Sequence, residues 1–221
     1  MQPDADITMV PISLWCIPDP DPWRDPDIST GGSSARLAAM LVAMYADAGD
    51  TIVVIGDDPT VAGAAGAAGC RYHHVERLTD LAGLEHLGHR VGILITTWPQ
   101  PAPGRLPGDA AILFATGEHL VARHGSAIVT LPIRPTEDSY GTYGWRLLTE
   151  AQYAGFQLHA HIVVVLDDPV AVGDLPIDLL PHRHVLVFVP PGAGPRGPSP
   201  QTHHRRTVRT SRSTRTGKDP R

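Results

Sequence analysis

Apolar positions in the 221-residue chain gather in short runs separated by stretches of helical spacing. The runs lie at 51–56 (TIVVIG), 71–76 (RYHHVE), 91–96 (VGILIT), 126–133 (SAIVTLPI), 157–166 (QLHAHIVVVL) and 182–190 (HRHVLVFVP). Most are too uniformly apolar for a sheet with one wet face, so they predict strands covered on both sides. Between them, Leu37, Leu41, Met44 and Tyr45 keep helical spacing, with Ser33 or Ser34 as cap and Gly49 as stop. Further helical stretches are PTVAGAAGAAG (59–69), RLTDLAGLEHL (77–87, helix or turn), DAAILFATGEHLVARHG (109–125) and TYGWRLLTEAQYAGF (142–156). This alternation predicts an α/β fold around a doubly wound, mostly parallel sheet. Only a Pro- and Asp-rich connection joins the last two runs, so they are expected to pair antiparallel.

The organisation has three parts. Residues 1–30 are rich in proline and aspartate and predict an irregular surface segment, with Trp15 and Trp23 as anchors. Residues 31–192 carry the α/β domain, and residues 193–221 form a tail with almost no apolar side chains. The net charge of −5 conceals an asymmetry: from Arg196 onward there are eight basic residues and one acid, against ten and twenty-two before it. Such a tail cannot bury enough surface to fold alone. Its arginines, Arg205, Arg206, Arg209, Arg212 and Arg215, are either a phosphate-seeking arm for DNA or a solvated end. No apolar run is long enough to span a bilayer. The first residues carry acids where a secretory signal carries bases, which predicts a cytoplasmic protein. Cys16 and Cys70 offer neither a disulfide framework nor a zinc spacing.

Ligands of open α/β sheets bind at the carboxyl ends of the strands, near the switch in strand order. Three strand tips are therefore candidates. At the first, Gly56, Asp57 and Asp58 precede a helix rich in small residues, suited to an approaching ligand or to close helix–sheet packing. At the second, Glu76 is placed to accept hydrogen bonds from ribose hydroxyls, or to complement the dipole of a following helix. At the third, the strand runs into Thr97-Trp98-Pro99-Gln100. There the Thr97 hydroxyl and the Trp98 carbonyl suit the hydrogens of an amine, with Pro99 fixing the loop. Trp98 is alternatively a stacking surface for a base, or simply a packing residue at a buried strand end.

Taken in order, these segments resemble the S-adenosylmethionine-dependent DNA amino-methyltransferases, which methylate N4 of cytosine or N6 of adenine. SARLAAMLVAMYADAGDTIVVIG resembles the family's stretch of Pro-Ala-Lys/Arg-Met, helix, Gly-Asp and first strand; GCRYHHVE has the layout of the second strand with its ribose-binding acid. ILITTWPQP falls where the family has Ser/Asp-Pro-Pro-Tyr, and the stretches around 150–166 and 182–190 look like its closing helix and antiparallel strand pair. The resemblance covers roughly residues 30–190 and rests on order and spacing. It implies a Rossmann-like methyltransferase sheet with an antiparallel C-terminal strand pair, and S-adenosylmethionine as cofactor. Glu76 would then hold the ribose, Gly56, Asp57 and Asp58 the methionine moiety, and Thr97, Trp98, Pro99 and Gln100 the acceptor base. The hydroxylic first position slightly favours cytosine. The chain departs from the family pattern at the first tip, which lacks the Gly-x-Gly pair. At the third tip Trp98 replaces a proline and Gln100 replaces the stacking aromatic. The rival reading is a catalytically silent protein of the same fold that binds nucleic acid or a protein partner.

Histidines at 159 and 161, and at 182 and 184, share strand faces and would form a four-nitrogen set if their strands pair. No carboxylate or cysteine completes a metal spacing, so no metal is expected. Neither a Gly-x-Ser-x-Gly elbow nor a Walker loop is present, which removes support for hydrolase and P-loop readings.

Overall fold

Apolar side chains on both faces of the central strands require a layer of helices on each side, and the computed structural model has that arrangement. It describes residues 10–17, 34–98, 109–132, 143–165 and 182–192. These contain strands β1 (Ile12–Cys16), β2 (Thr51–Ile55), β3 (Arg71–Val75), β4 (Val91–Thr97), β5 (Val121–Pro132), β6 (Gln157–Val165) and β7 (His182–Val189). They also contain helices α1 (Ala35–Tyr45), α2 (Pro59–Ala67), α3 (Asp109–Leu120) and α4 (Trp145–Tyr153), with a 3-10 helix over Leu78–Leu87. Ser34 caps α1 by accepting from the Leu37 N–H at 3.2 Å, which satisfies one donor that the first turn leaves open.

The strands form one sheet in the order β1-β6-β7-β5-β4-β2-β3. All neighbours are parallel except β7, which runs antiparallel to both β5 and β6. This is the mostly parallel α/β sheet with an antiparallel C-terminal strand pair that the sequence predicted. Alternate residues divide into two cores. Ile52, Val54, Ile93, Ile95, Ile128, Val185 and Val187 pack with Leu37, Leu41 and Val61 of α1 and α2. Val53, Ile55, Leu94, Val129, Leu186 and Phe188 pack with Leu113, Phe114 and Leu147 of α3 and α4. Phe114 meets Phe188 edge-on at 4.9 Å between centroids, a geometry worth about 0.5–1.5 kcal/mol beyond area burial.

Two boundaries differ from expectation. The N-terminal segment is not wholly irregular, because Ile12–Cys16 adds a parallel edge strand to β6. Ser13 and Trp15 alternate with Ile12, Leu14 and Cys16, and Trp15 packs toward the α1–α2 layer. The helix expected to reach residue 125 stops at Leu120, and β5 begins at Val121. Val121 pairs with Val91, and a register shift follows before Ile93 pairs with Ser126. The extra residues are thus taken up as an irregularity in the ladder. Trp23 and the tail 193–221, with Arg205, Arg206, Arg209, Arg212 and Arg215, lie outside the described residues. No helix among the described residues is long and apolar enough to cross a membrane.

The chain passes from β2 outward to β3, then crosses back to place β4 on the other side of β2. In open α/β sheets such a reversal is where ligands bind, which directs attention to the carboxyl ends of β2 and β4 and the neighbouring end of β3.

Candidate functional site

The three strand tips singled out in the sequence converge on this edge. At the end of β2, Gly56 adopts φ +97°, a conformation that an L side chain resists. A Cβ there would meet nothing within 4 Å, so the backbone angle rather than crowding calls for glycine. The Gly56 N–H donates to the Val75 carbonyl at 2.8 Å, which ties the first tip to the second. Asp57 is exposed and Asp58 is buried. Asp58 is the cap of α2: its Oδ1 accepts from the Thr60 N–H at 3.1 Å, the Thr60 hydroxyl at 2.6 Å and the Val61 N–H at 3.3 Å. With Pro59 in the first turn, the helix start is closed by the chain's own carboxylate. An anionic ligand group therefore gains little from the α2 dipole.

Glu76 follows β3 and is exposed. It does not belong to the first turn of the following 3-10 helix, which starts at Leu78. Asp80 serves that turn instead, accepting from the Arg77 N–H at 3.2 Å. Glu76 comes directly after Val75, whose carbonyl accepts from the Gly56 N–H, and directly before the cap residue Arg77.

At the end of β4 the acceptor tip rests on β5. The Trp98 N–H donates to the Thr130 carbonyl at 2.7 Å. The Thr97 and Thr130 hydroxyls lie 2.9 Å apart, and the Thr130 hydroxyl donates to the Thr96 carbonyl at 3.3 Å. Either hydroxyl can donate in the shorter contact, which ties the end of β4 to β5 through side chains as well as backbone. The Trp98 ring, 8% exposed, belongs to the core with Leu113, Phe114 and Leu147, so of the roles considered for it the structure has the packing one. Pro99 and Gln100 lie outside the described residues.

Three contributors escaped the sequence reading. Thr130 is a polar residue near the carboxyl end of an otherwise apolar run, a signal that could have been used. Arg183 enters because β7 runs antiparallel, which brings its first residues to the carboxyl edge of the parallel strands. Burial lowers the pKa of its guanidinium, and the Asp58 charge acts in the opposite direction. The Tyr72 hydroxyl is buried. Its pKa is raised by burial first and then by the charges of Asp58 and Asp57, with a backbone hydrogen bond at Asp58 acting the other way, so this phenol lies under the same tip.

The strands carrying His161 and His184 do pair, and His161 Nε2 lies 2.7 Å from His184 Nδ1. The His182 ring stands edge-on to His184. Burial, with His161 and His182 adding to it, lowers the pKa of His184 to about 4. The pair is therefore a neutral hydrogen bond, one ring donating and the other accepting. No group of three or more His, Cys, Asp or Glu among the described residues is arranged to hold a metal.

No protein-family model matches the chain, and no curated protein matches it in sequence. Among solved structures it is similar to geranyl diphosphate C-methyltransferase from Streptomyces coelicolor A3(2), in complex with Mg2+, geranyl diphosphate and S-adenosyl-L-homocysteine. That likeness has 13% identity over 71% of this chain and 80% of that one, with a TM-score of 0.44. A TehB-like SAM-dependent methyltransferase from Corynebacterium glutamicum is similar at 13% identity, covering 69% of this chain and 86% of that one, TM-score 0.40. The [4+2]-cyclase SpnF is similar at 13% identity, covering 71% and 80%, TM-score 0.44.

Proposed function

We propose that this chain binds S-adenosylmethionine at the β2–β3 tips and presents an amine-accepting loop at the β4 tip, as a methyltransferase of the amino-group class. The observation that carries the reading is the Gly56–Val75 hydrogen bond, which holds the glycine turn against the end of β3, where the exposed Glu76 follows. The donor set fits the nucleoside half of the cofactor: Glu76 accepts from the ribose hydroxyls, and the open Gly56 turn admits the ligand close to the backbone. It fits the methionine half less directly, because the Gly-x-Gly turn is absent and Asp58 occupies the α2 start. When bound, the cofactor supplies an electrophilic methyl group. The chain's own part is to hold a nucleophilic amine with its lone pair free, and the Thr97 hydroxyl oxygen together with the Trp98 carbonyl suits that task.

The finer proposal is that the amine belongs to a DNA base, with cytosine N4 favoured over adenine N6. Support comes from the order of motifs around 30–190 and from the eight basic residues after 195. The competing reading is a silent member of the fold whose tail does the binding. Calorimetric titration with S-adenosylmethionine and S-adenosylhomocysteine separates the two. Micromolar binding, sharply weakened by Glu76→Ala, supports the cofactor site, whereas absence of heat with folded protein overturns it. Removing residues 196–221 should then lower DNA affinity and flatten its salt dependence. An unaltered salt slope removes the role given to the tail.

A further inference from the structure

We propose that Arg183 binds the carboxylate of the cofactor's amino-acid moiety, doing with a side chain what a glycine-rich backbone turn would do. This rests on the cofactor reading above and extends it to a residue outside the three tips.

The argument is one of register and charge. Arg183 pairs with Pro132 on β5 and with Val164 on β6, at the end of the sheet where the parallel strands finish. It lies two residues before Val185, which packs into the α1–α2 layer, so its side chain leaves the sheet on that same face. Thr130 is the partner of Val185, and Thr97 is the partner of Thr130. Arg183 is therefore on the face of the acceptor hydroxyls, one step nearer the mouth. Two strand spacings, about 10 Å, separate β7 from β4. The α2 start follows β2, one strand beyond β4, and the Asp58 charge there acts on the Arg183 guanidinium across that span.

The charges then decide the ligand. An amino-acid end carries one cation and one anion, and this corner of the site carries the carboxylates of Asp57 and Asp58 and the guanidinium of Arg183. Asp58 closes the helix N-terminus, so the guanidinium is the positively charged group of this corner that suits a carboxylate. Arginine has five donors in a fixed fork, so it serves Asp58 and a bidentate ligand carboxylate together.

The test compares S-adenosylhomocysteine with 5′-methylthioadenosine, which has the nucleoside and the sulfur but no amino-acid end. The full chain should bind the first at least about tenfold more tightly by calorimetry. Arg183→Gln should remove that preference while leaving methylthioadenosine affinity unchanged, and Arg183→Lys should restore part of it. Thermal melts and circular dichroism establish that each variant is folded. If Arg183→Gln does not fold, the preference of the unmodified chain and the Arg183→Lys variant decide the matter. Equal affinity of the unmodified chain for both ligands overturns the proposal, as does an equal loss for both on substitution. Glu76→Gln should weaken both ligands alike. Binding of neither ligand by folded protein overturns the cofactor reading itself, an outcome distinct from binding without preference.

Discussion

The Gly56 N–H donates to the Val75 carbonyl at 2.8 Å, and this single bond aligns the ends of β2 and β3. It continues the parallel pairing of Ile55 with Val75 by one residue past the last strand position. Gly56 must turn to φ +97° to do so, and the chain then reaches Asp58 and starts α2. Glu76 is the next residue on the other side. The proposed ribose site thus depends on one backbone conformation.

Gly56→Ala should therefore weaken nucleoside binding more than it destabilises the fold. Forcing an alanine to that angle costs about 1–3 kcal/mol, with no clash to add because the space around it is open. Urea melts should show that modest loss. Calorimetry with S-adenosylhomocysteine should show a larger one, since relaxation of the turn separates the tips. A variant that loses stability but keeps full affinity would show that the turn is not part of the site.

Gly125 makes the opposite case, in which space rather than angle is the constraint. A Cβ there would lie 2.6 Å from the Val91 carbonyl oxygen and 2.7 Å from that of Gly92. Both contacts are backbone, in the irregular stretch of the β4–β5 ladder, and cannot swing aside. Gly125→Ala should destabilise by at least about 1–3 kcal/mol, read as a lower urea midpoint with an unchanged slope.

These elements differ in how readable they were. Runs such as TIVVIG and VGILIT could only be strands covered on both faces, and the Pro- and Asp-rich connection before residue 182 signalled the antiparallel turn of β7. β1 was hidden although its residues alternate, because prolines on both sides, Pro11 and Pro18, masked a strand that exists only by pairing with distant β6. The end of α3 was misjudged because VARH satisfies helix and strand patterns alike, and long-range pairing with Val91 decided it. The places of Glu76 and Thr97 at strand ends were legible from the apolar runs that precede them. Arg183 was not, since nothing local says that the first residues of an antiparallel strand will reach the mouth of a parallel sheet.

The histidine pair predicts a pH dependence of stability. His184 has a folded pKa of about 4, below the unfolded value of 6.5, and that of His161 is lowered by burial as well. Above pH 6.5 neither state carries the proton, and the stabilisation is fully present. Between 6.5 and about 4 the unfolded chain binds protons that the folded chain refuses, so stability falls as pH falls. Full burial would make this roughly 3 kcal/mol, and solvent around these partly exposed rings reduces it. Melting temperatures should decline through that window, and His184→Gln should flatten the decline. An equally steep decline in the variant would remove His184 as its source.

Thr97 offers the sharpest division between structure and chemistry. Its hydroxyl lies 2.9 Å from that of Thr130, which donates to the Thr96 carbonyl at 3.3 Å. Thr97→Val keeps the β-branched shape and removes the oxygen, leaving the Thr130 hydroxyl one partner short at a cost of about 1 kcal/mol. Cofactor binding at the β2–β3 tips should be unchanged. Transfer of labelled methyl from S-adenosylmethionine to a cytosine-containing single strand should fall by at least about a hundredfold, while Thr97→Ser should retain much of it. The contrast between serine and valine matters because both alter the packing of the strand end, whereas only valine removes the lone pairs. Equal activity of the two would mean that the amine is held elsewhere, and the chemistry assigned to the β4 tip would have to move with it.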